Sequence, residues 1–596
     1  METHETHECD VLVVGAGGAG LRAAIESAAL GAKTALVCKS LLGKAHTVMA
    51  EGGVAAALGN VYPEDNWKVH FRDTMRGGKF LNNWRMAQLH AQESPERVLE
   101  LERWGALFDR TPDGRILQRD FGGHRYARLA HVGDRTGLEI IRTLQYHAIH
   151  QPIEVFMECF VTRLLVAGGR IAGAFGYRRE SGDLLLFKAK AVILATGGIG
   201  KAYQYTSNSW EYTGDGQALA YWAGADLQDM EFVQFHPTGM VWPPSVRGIL
   251  VTEGVRGDGG VLRNAKNERF MFKYIPELFR AETADTEAEA DRWYDQHEGN
   301  RRTPDLLPRD EVARAINAEV KAGRGTPHGG VFLDIASRRP ADYIKRRLPS
   351  MYHQFKELAD VDITKEPMEV GPTCHYMMGG VRVDGDTAAS TLPGLFAAGE
   401  VAAGLHGANR LGGNSLSDLL VFGRRAGEGA TVYAKSVKSA PPDPVHLAAA
   451  EQELTAPLQR TEGESPYTVH HALQEAMQTL VGIIRTESEL QQALERLQAL
   501  KARAAGVRVE GGRRYNPGWN LAIDLRSLLV VSEAITRAAI ERKESRGAHT
   551  RNDFPATDAK FGAVNMVIRQ RDGQMTLTPE PRPEMPADLK QLLEEK

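Results

Sequence analysis

The chain has 596 residues and a formal net charge of −4, from 72 Lys and Arg against 76 Asp and Glu. That length exceeds a single hydrophobic core, so several domains are expected, and the mildly acidic balance excludes a general nucleic-acid binder. Hydrophobic residues at 42% fit a globular protein, and the four cysteines (Cys9, Cys38, Cys159, Cys374) lack metal or redox spacing, which excludes a cysteine-held iron–sulfur cluster and a disulfide framework.

Residues 1–10 are polar and acidic, with neither the basic nor the apolar region of a secretory signal. Residues 9–14 read as a short buried strand that runs into Gly15-Ala16-Gly17-Gly18-Ala19-Gly20. Residues 21–30 are Ala-rich and helical, Gly31 ends them, and 33–38 form a second strand. This strand–turn–helix–strand context is what a dinucleotide fingerprint requires. Glycines permit the tight turn, and the helix N-terminus faces the phosphates. A ribose-binding acid is expected at the end of the second strand. Cys38-Lys39-Ser40 stands there, which disfavours a simple NAD enzyme. The loop Lys44-Ala45-His46-Thr47-Val48-Met49-Ala50-Glu51-Gly52-Gly53 then puts a histidine beside the Gly-rich turn.

Residues 155–166, 170–177 and 184–189 are three strand-like runs separated by Gly168-Gly169 and Ser181-Gly182-Asp183. They predict a three-stranded antiparallel insert, after which the parallel sheet returns at 191–194 and ends in Ala195-Thr196-Gly197-Gly198. Between 240 and 354 the parallel pattern disappears, and 280–301 reads as an acidic, exposed excursion. The pattern resumes at 371–380 and reaches another strand-to-loop junction at Leu395-Phe396-Ala397-Ala398-Gly399-Glu400. Pro441-Pro442-Asp443-Pro444 marks a boundary. Beyond it 445–545 has helical period, 484–504 for example, and 546–596 is polar and Pro-punctuated. The expected class is α/β: a Rossmann-like FAD-binding domain with an antiparallel insert (1–239 and 355–440), an inserted α+β capping domain (240–354), a helical domain (441–545) and a small C-terminal domain (546–596). No run approaches the roughly 18 apolar residues of a membrane-spanning helix, so any membrane association must come through a partner.

The His46 loop resembles the flavin-attachment segment of the succinate dehydrogenase and fumarate reductase (complex II) flavoprotein subunits. Further motifs occur in that family's order. They are Asp134-Arg135-Thr136-Gly137, Thr213-Gly214-Asp215-Gly216, Phe235-His236-Pro237-Thr238-Gly239, Val251-Thr252-Glu253-Gly254, Pro308-Arg309-Asp310, Pro372-Thr373-Cys374-His375, His406-Gly407-Ala408-Asn409-Arg410 and Glu544-Ser545-Arg546-Gly547-Ala548-His549. The resemblance covers about residues 8–555. The stretch from Lys39 to His46 looks closer to the actinobacterial-type branch than to the mitochondrial type.

The resemblance implies FAD, covalently attached through His46. Its other contacts would be Gly15, Ala16, Gly17, Gly18, Ala19, Gly20, Lys39, Ser40, Thr47, Gly52, Gly53, Thr196, Gly197, Gly198, Asp215, Glu400, Ser415 and Leu416. It implies dicarboxylate binding by His236, Thr252, His375 and Arg410, with Phe121 packed beside the substrate. Proton transfer falls to Arg309, with Glu253 and Arg256 as its relay. Glu51 departs from the family's usual Gln and is expected to alter the charge near the flavin. These residue types suit the chemistry: succinate and fumarate are dianions that need donors at both ends, and Arg410 can give one carboxylate a bidentate fork. No metal site is expected. The implied activity is succinate oxidation to fumarate by the flavoprotein subunit of a succinate:quinone oxidoreductase. A physiological quinol:fumarate reductase is the alternative, and an L-aspartate oxidase-like soluble flavoenzyme is disfavoured by His46. The implied partners are an iron–sulfur subunit carrying clusters and a membrane anchor with quinone, with or without haem. That places the chain peripherally on the cytoplasmic face of the cell membrane.

Overall fold

The computed structural model describes residues 4–594. Its central sheet has seven strands, in the order Ile153–Phe156, Thr34–Val37, Glu5–Val14, Leu184–Leu194, Arg170–Arg178, Cys159–Ala167, with Leu395–Ala397 also paired to Leu184–Leu194. Val11 to Val14 are buried and flanked by parallel neighbours on both sides, which is why the run is continuously apolar. The turn after it depends on glycine. Gly15 has φ +108°, and a Cβ there would lie 2.2 Å from the Ala195 carbonyl oxygen. A Cβ on Gly20 would lie 1.7 Å from the Gly15 oxygen, so helix Gly18–Ala29 can pack directly on the turn.

The expected insert differs in two respects. The run 155–166 is divided: Ile153–Phe156 joins the parallel sheet beside Thr34–Val37, the chain turns at Glu158 (φ +53°), and Cys159–Ala167 starts the antiparallel part. The third insert strand and the returning parallel strand are one element, Leu184–Leu194. It pairs antiparallel with Arg170–Arg178 and, along its length, parallel with Glu5–Val14. No turn residue interrupts 184–194, so the backbone has no reason to break there.

A second, four-stranded antiparallel sheet has the order Val233–Met240, Met368–Met377, Val331–Asp334, Val261–Arg263. Residues 371–377 therefore belong to this sheet and not to the parallel one. Met240, Phe270, Ile316, Leu333 and Phe355 help form its separate core. The acidic stretch 280–301 is less exposed than expected: it contains helix Glu287–Asp295, which buries Ala290 and Trp293. Four helices follow, Pro444–Gln459, Pro466–Leu480, Glu487–Ala505 and Pro517–Glu541. Asp443, Ser465 and Asn516 cap the three that start at proline. The C-terminal hairpin Val564–Arg571/Gln574–Pro581 extends a sheet with Leu227–Gln228 and Gly380–Val381. Among the described residues no helix is long and apolar enough to cross a membrane.

Candidate active site

The parallel strands end at one edge, and the loops that follow them enclose a cavity of about 1600 Å³, solvent at its mouth included. In open α/β sheets this edge is where ligands bind. Gly15, Ala16, Gly17, Gly18 and Ala19 line the cavity from the first turn, and Lys39 and Ser40 from the second strand. His46, Thr47, Thr196, Gly197, Asp215, Glu400, Ser415 and Leu416 complete the expected set on its wall. Gly20, Gly52, Gly53 and Gly198 lie behind it. A Cβ on Gly52 would come 2.5 Å from the Phe121 ring, one on Gly53 2.9 Å from the Ala130 oxygen, and one on Gly198 2.3 Å from the Glu400 carboxylate. These glycines let the wall close. A helix N-terminus, a side-chain-free turn and a long cleft fit an FAD pyrophosphate.

The end of the second strand is organised around Lys39. Its Nζ donates to Thr213 Oγ1 at 2.8 Å, Asp215 at 2.9 Å and Asp524 at 2.6 Å. Burial alone would lower the ammonium, but the two carboxylates outweigh it and raise it. Asp524 comes from the last helix of the helical part, which sequence reading did not connect to the cavity.

His46 begins a short 3-10 turn, His46–Met49. The Ser209 N–H donates to its Nδ1 at 3.3 Å, Nε2 is 3.2 Å from Asn208 Nδ2, and its ring meets Tyr212 edge-on at 4.7 Å. A backbone N–H and an amide NH2 can only donate, so each ring nitrogen of His46 faces a donor, Nδ1 the Ser209 N–H and Nε2 the Asn208 amide. Burial, with Lys201 adding to it, drives the imidazole down to about 4, so it is neutral at pH 7. Glu51 also faces the cavity, with Oε2 unpartnered among the described residues. Burial and then Asp134 push its carboxyl well above the ordinary range. Burial thus works against the charge that Glu51 would otherwise place beside the cofactor.

Next to this cavity the remaining expected residues converge. Arg410 and His375 line the wall. Arg410 lies over the Tyr376 ring at 4.1 Å, and its guanidinium bonds Ser415 and Gln234. The Gln234 amide returns a bond to the Arg410 carbonyl at 2.8 Å, which fixes the loop. His236 and His375 stand 5.0 Å apart, ring to ring, and Ser207 Oγ is 2.8 Å from His375 Nδ1. Arg309 heads helix Arg309–Lys321. Its Nε donates to Glu253 Oε2 at 2.8 Å, and Nη1 has no partner among the described residues. Glu253 also accepts the Gly122 N–H at 2.7 Å and lies 3.8 Å from Arg256. Phe121 and Arg309 both border Gly412, where a Cβ would lie 2.5 Å and 3.0 Å from them. Thr252 is buried at the start of the Glu253 turn, and its Oγ1 accepts the Gly254 N–H at 3.2 Å.

Electrostatics sorts these groups. Burial, with Arg309 and Arg256 beside one and Arg410 beside the other, drives His236 and His375 well below their ordinary value, so both are neutral. Burial alone would raise Glu253, but Arg309 and Arg256 outweigh it and keep it ionised. Burial and Arg309 lower Arg410 to about 9, still charged at pH 7. Three guanidiniums against one carboxylate leave two positive charges, a match for a dianion. The motif Arg546-Gly547-Ala548-His549 supports this site from behind. The Ala548 N–H donates to the Ala408 oxygen at 2.9 Å, and Arg314 Nη1 to the Gly547 oxygen at 2.9 Å. It thereby ties the Arg309 helix to the loop that ends at Arg410.

Sequence reasoning missed Ser207, Asn208, Tyr212, Gln234 and Asp524. Ser207, Asn208 and Tyr212 sit in a loop without periodicity, signalled only by the neighbouring glycine motif at 213–216; Gln234 directly precedes the motif at 235–239, and Asp524 lies in a helix with no local signal. No cluster of three or more metal-ligating side chains occurs among the described residues.

Comparison with known proteins adds two family matches: an FAD binding domain over residues 10–416 and a fumarate reductase flavoprotein C-terminal domain over 470–590. A fumarate reductase (CoM/CoB) subunit from Methanothermobacter marburgensis is 44% identical over 96% of this chain and 99% of its own length. The succinate dehydrogenase flavoprotein subunit of Coxiella burnetii is 38% identical over 97% of each chain. The solved structure of Mycobacterium smegmatis Sdh1 in complex with UQ1 is 60% identical, with TM-score 0.85, over 98% of this chain and 96% of that one.

Proposed function

The chain belongs to the succinate dehydrogenase and fumarate reductase flavoprotein family, FAD-dependent oxidoreductases, and we propose that it is the succinate-oxidising subunit of a membrane-attached complex. The observation that carries this reading is the buried group Arg309–Glu253–Arg256 facing Arg410, His236 and His375 beside a dinucleotide cavity.

The glycine turn at 15–20, Thr47, Lys39 with Asp215, Glu400 and Ser415-Leu416 would hold FAD, and His46, on the wall of the same cavity, would bind it covalently. When bound, FAD supplies the hydride acceptor. The chain's own residues do the rest. Arg410 forks one carboxylate, and His236, Thr252 and His375 donate to the other end. Phe121 excludes water from the reacting carbons. Arg309 exchanges the proton. A guanidinium holds its proton tightly, so the adjacent ionised Glu253, with Arg256 behind it, serves to stabilise transfer toward solvent. Fumarate reduction is the same chemistry reversed and uses the proton that Arg309 already carries.

Electrons would leave to an iron–sulfur subunit seated on a membrane anchor at the cytoplasmic face. The four cysteines support this, being buried free thiols; burial pushes Cys9 and Cys38 up to about 12. The test is release from membranes by chaotrope. The chain should come off together with an iron–sulfur neighbour, and alone should reduce a small dye with succinate but not quinone. Quinone reduction by the isolated chain at the rate of the intact complex overturns the proposal.

A further inference from the structure

Away from the dinucleotide cavity, a cleft of about 880 Å³, solvent at its mouth included, opens where the FAD-binding part meets the antiparallel cap. Arg110 and Arg135 face it from the first, Arg346 and Arg347 from the second, with Asp109 as its one acidic residue. Arg110 is paired with Glu102, and Arg347 with Asp258 at 3.2 Å. The Arg135 and Arg346 side chains are exposed and have no ion pair or hydrogen bond among the described residues. Asp109 already accepts the Gly133 N–H at 2.9 Å and lies 3.3 Å from His131 Nε2. The cleft thus gathers positive charge that the chain leaves unneutralised.

The two walls are fixed relative to each other. Asp134 Oδ2 accepts the backbone N–H groups of Ser350 at 2.8 Å and Met351 at 3.0 Å, in the first turn of helix Pro349–Ala359. Within the first wall, Arg119 donates to the Gly133 oxygen at 2.6 Å and steadies the loop that carries Asp134. Arg135 follows Asp134 directly, and Arg346 lies four residues before Ser350. The buried Asp134 carboxylate on two backbone N–H groups therefore fixes the backbone from which the two free arginines reach into the cleft. A concave wall focuses their field, and guanidinium forks suit oxyanions.

We infer that this cleft is a second anion site, separate from the dicarboxylate site, for a multivalent oxyanion that bridges Arg135 and Arg346 and clamps the cap to the FAD-binding part. The Asp-Arg-Thr-Gly motif then has a role: Asp134 builds the joint and Arg135 reads the ligand. Because the ligand touches both walls, it stabilises their association by mass action.

The test is calorimetric titration of the FAD-loaded enzyme at low, matched ionic strength, with malonate saturating the dicarboxylate site. Pyrophosphate and citrate are the probes. Saturable one-site binding is expected for at least one of them, accompanied by a rise in Tm. Saturation by pyrophosphate alone assigns phosphate-bearing ligands, and by citrate alone polycarboxylates; either supports the site. The double variant Arg135→Ala/Arg346→Ala should weaken binding about tenfold or more, since hydrogen bonds to charged groups are strong. Both side chains are exposed, so flavin content and succinate turnover should stay at wild-type levels in that variant. Absence of saturable binding by either probe, or equal binding in the double variant, overturns the inference.

Discussion

Replacing Arg309 by alanine tests the proposed chemistry most directly. Arg309 is only 7% exposed, and its Nε holds Glu253 while Nη1 is unpartnered among the described residues. Loss of a positioned proton donor costs ~10²–10⁴ in rate, which corresponds to about 3–5 kcal/mol of barrier. A second effect is electrostatic. The site falls from two net positive charges to one, and a lost charge-assisted bond costs about 1.5–3 kcal/mol, or roughly ten- to a hundredfold in dianion affinity. Stability suffers less. Glu253 keeps the Gly122 N–H and Arg256, so its buried charge is not stranded, and the loss should lie below the ~3–5 kcal/mol of a fully broken buried pair. We expect dye-coupled succinate oxidation and fumarate reduction both to fall by ~10³ or more, with normal folding and flavin content. Arg309→Lys keeps the charge and should recover KM more than kcat. Near-normal kcat in Arg309→Ala would refute the assignment.

Three further outcomes are expected. Denatured wild-type chain should show flavin fluorescence in a gel, and His46→Ser should lose that band while still binding FAD; a fluorescent mutant band would exclude His46 as the attachment point. Malonate should compete with succinate far better than butyrate, because only malonate engages both Arg410 and the His236–His375 end; equal inhibition would contradict a two-ended site. Burial moves Glu400 from 4.5 to about 8. The folded chain therefore holds this proton more tightly than the unfolded chain, and the stability it contributes in acid is lost as pH rises through about 8. Glu400→Gln should flatten the decline of Tm between about pH 5 and pH 8, and an unchanged slope would place the titration elsewhere.

Where local pattern determines structure, the sequence was readable. Residues 9–38 show a buried strand, a glycine turn and a helix in order, and they fold that way. The break assumed between 189 and 191 failed because a strand can leave one partner and keep another without any turn signal. The cap sheet blurred for the opposite reason: Val233–Met240 and Met368–Met377 are far apart in sequence and read as parts of the parallel domain until their pairing is seen. In the site, resemblance supplied Arg309, Glu253 and Arg410. It could not supply Gln234, which orients Arg410, or the upward push on the Glu51 carboxyl, which comes from burial and Asp134. The Arg110–Arg347 cleft likewise follows from the joint at Asp134, not from any run of basic residues.

The Lys39–Asp524 pair also sets an order of events. A ribosome adds roughly 5–20 residues per second, so Asp524 is made on the order of 25–100 s after Lys39. During that interval the glycine turn and His46 already exist, yet Lys39, on the cavity wall, lacks the Asp524 carboxylate that holds it. Cofactor that arrives early meets a Lys39 that is not yet fully held, so stable loading is expected only after Asp524 has been made. A nascent chain stalled before Asp524 should therefore fail to retain FAD even though every residue of the first glycine turn and the His46 loop is in place.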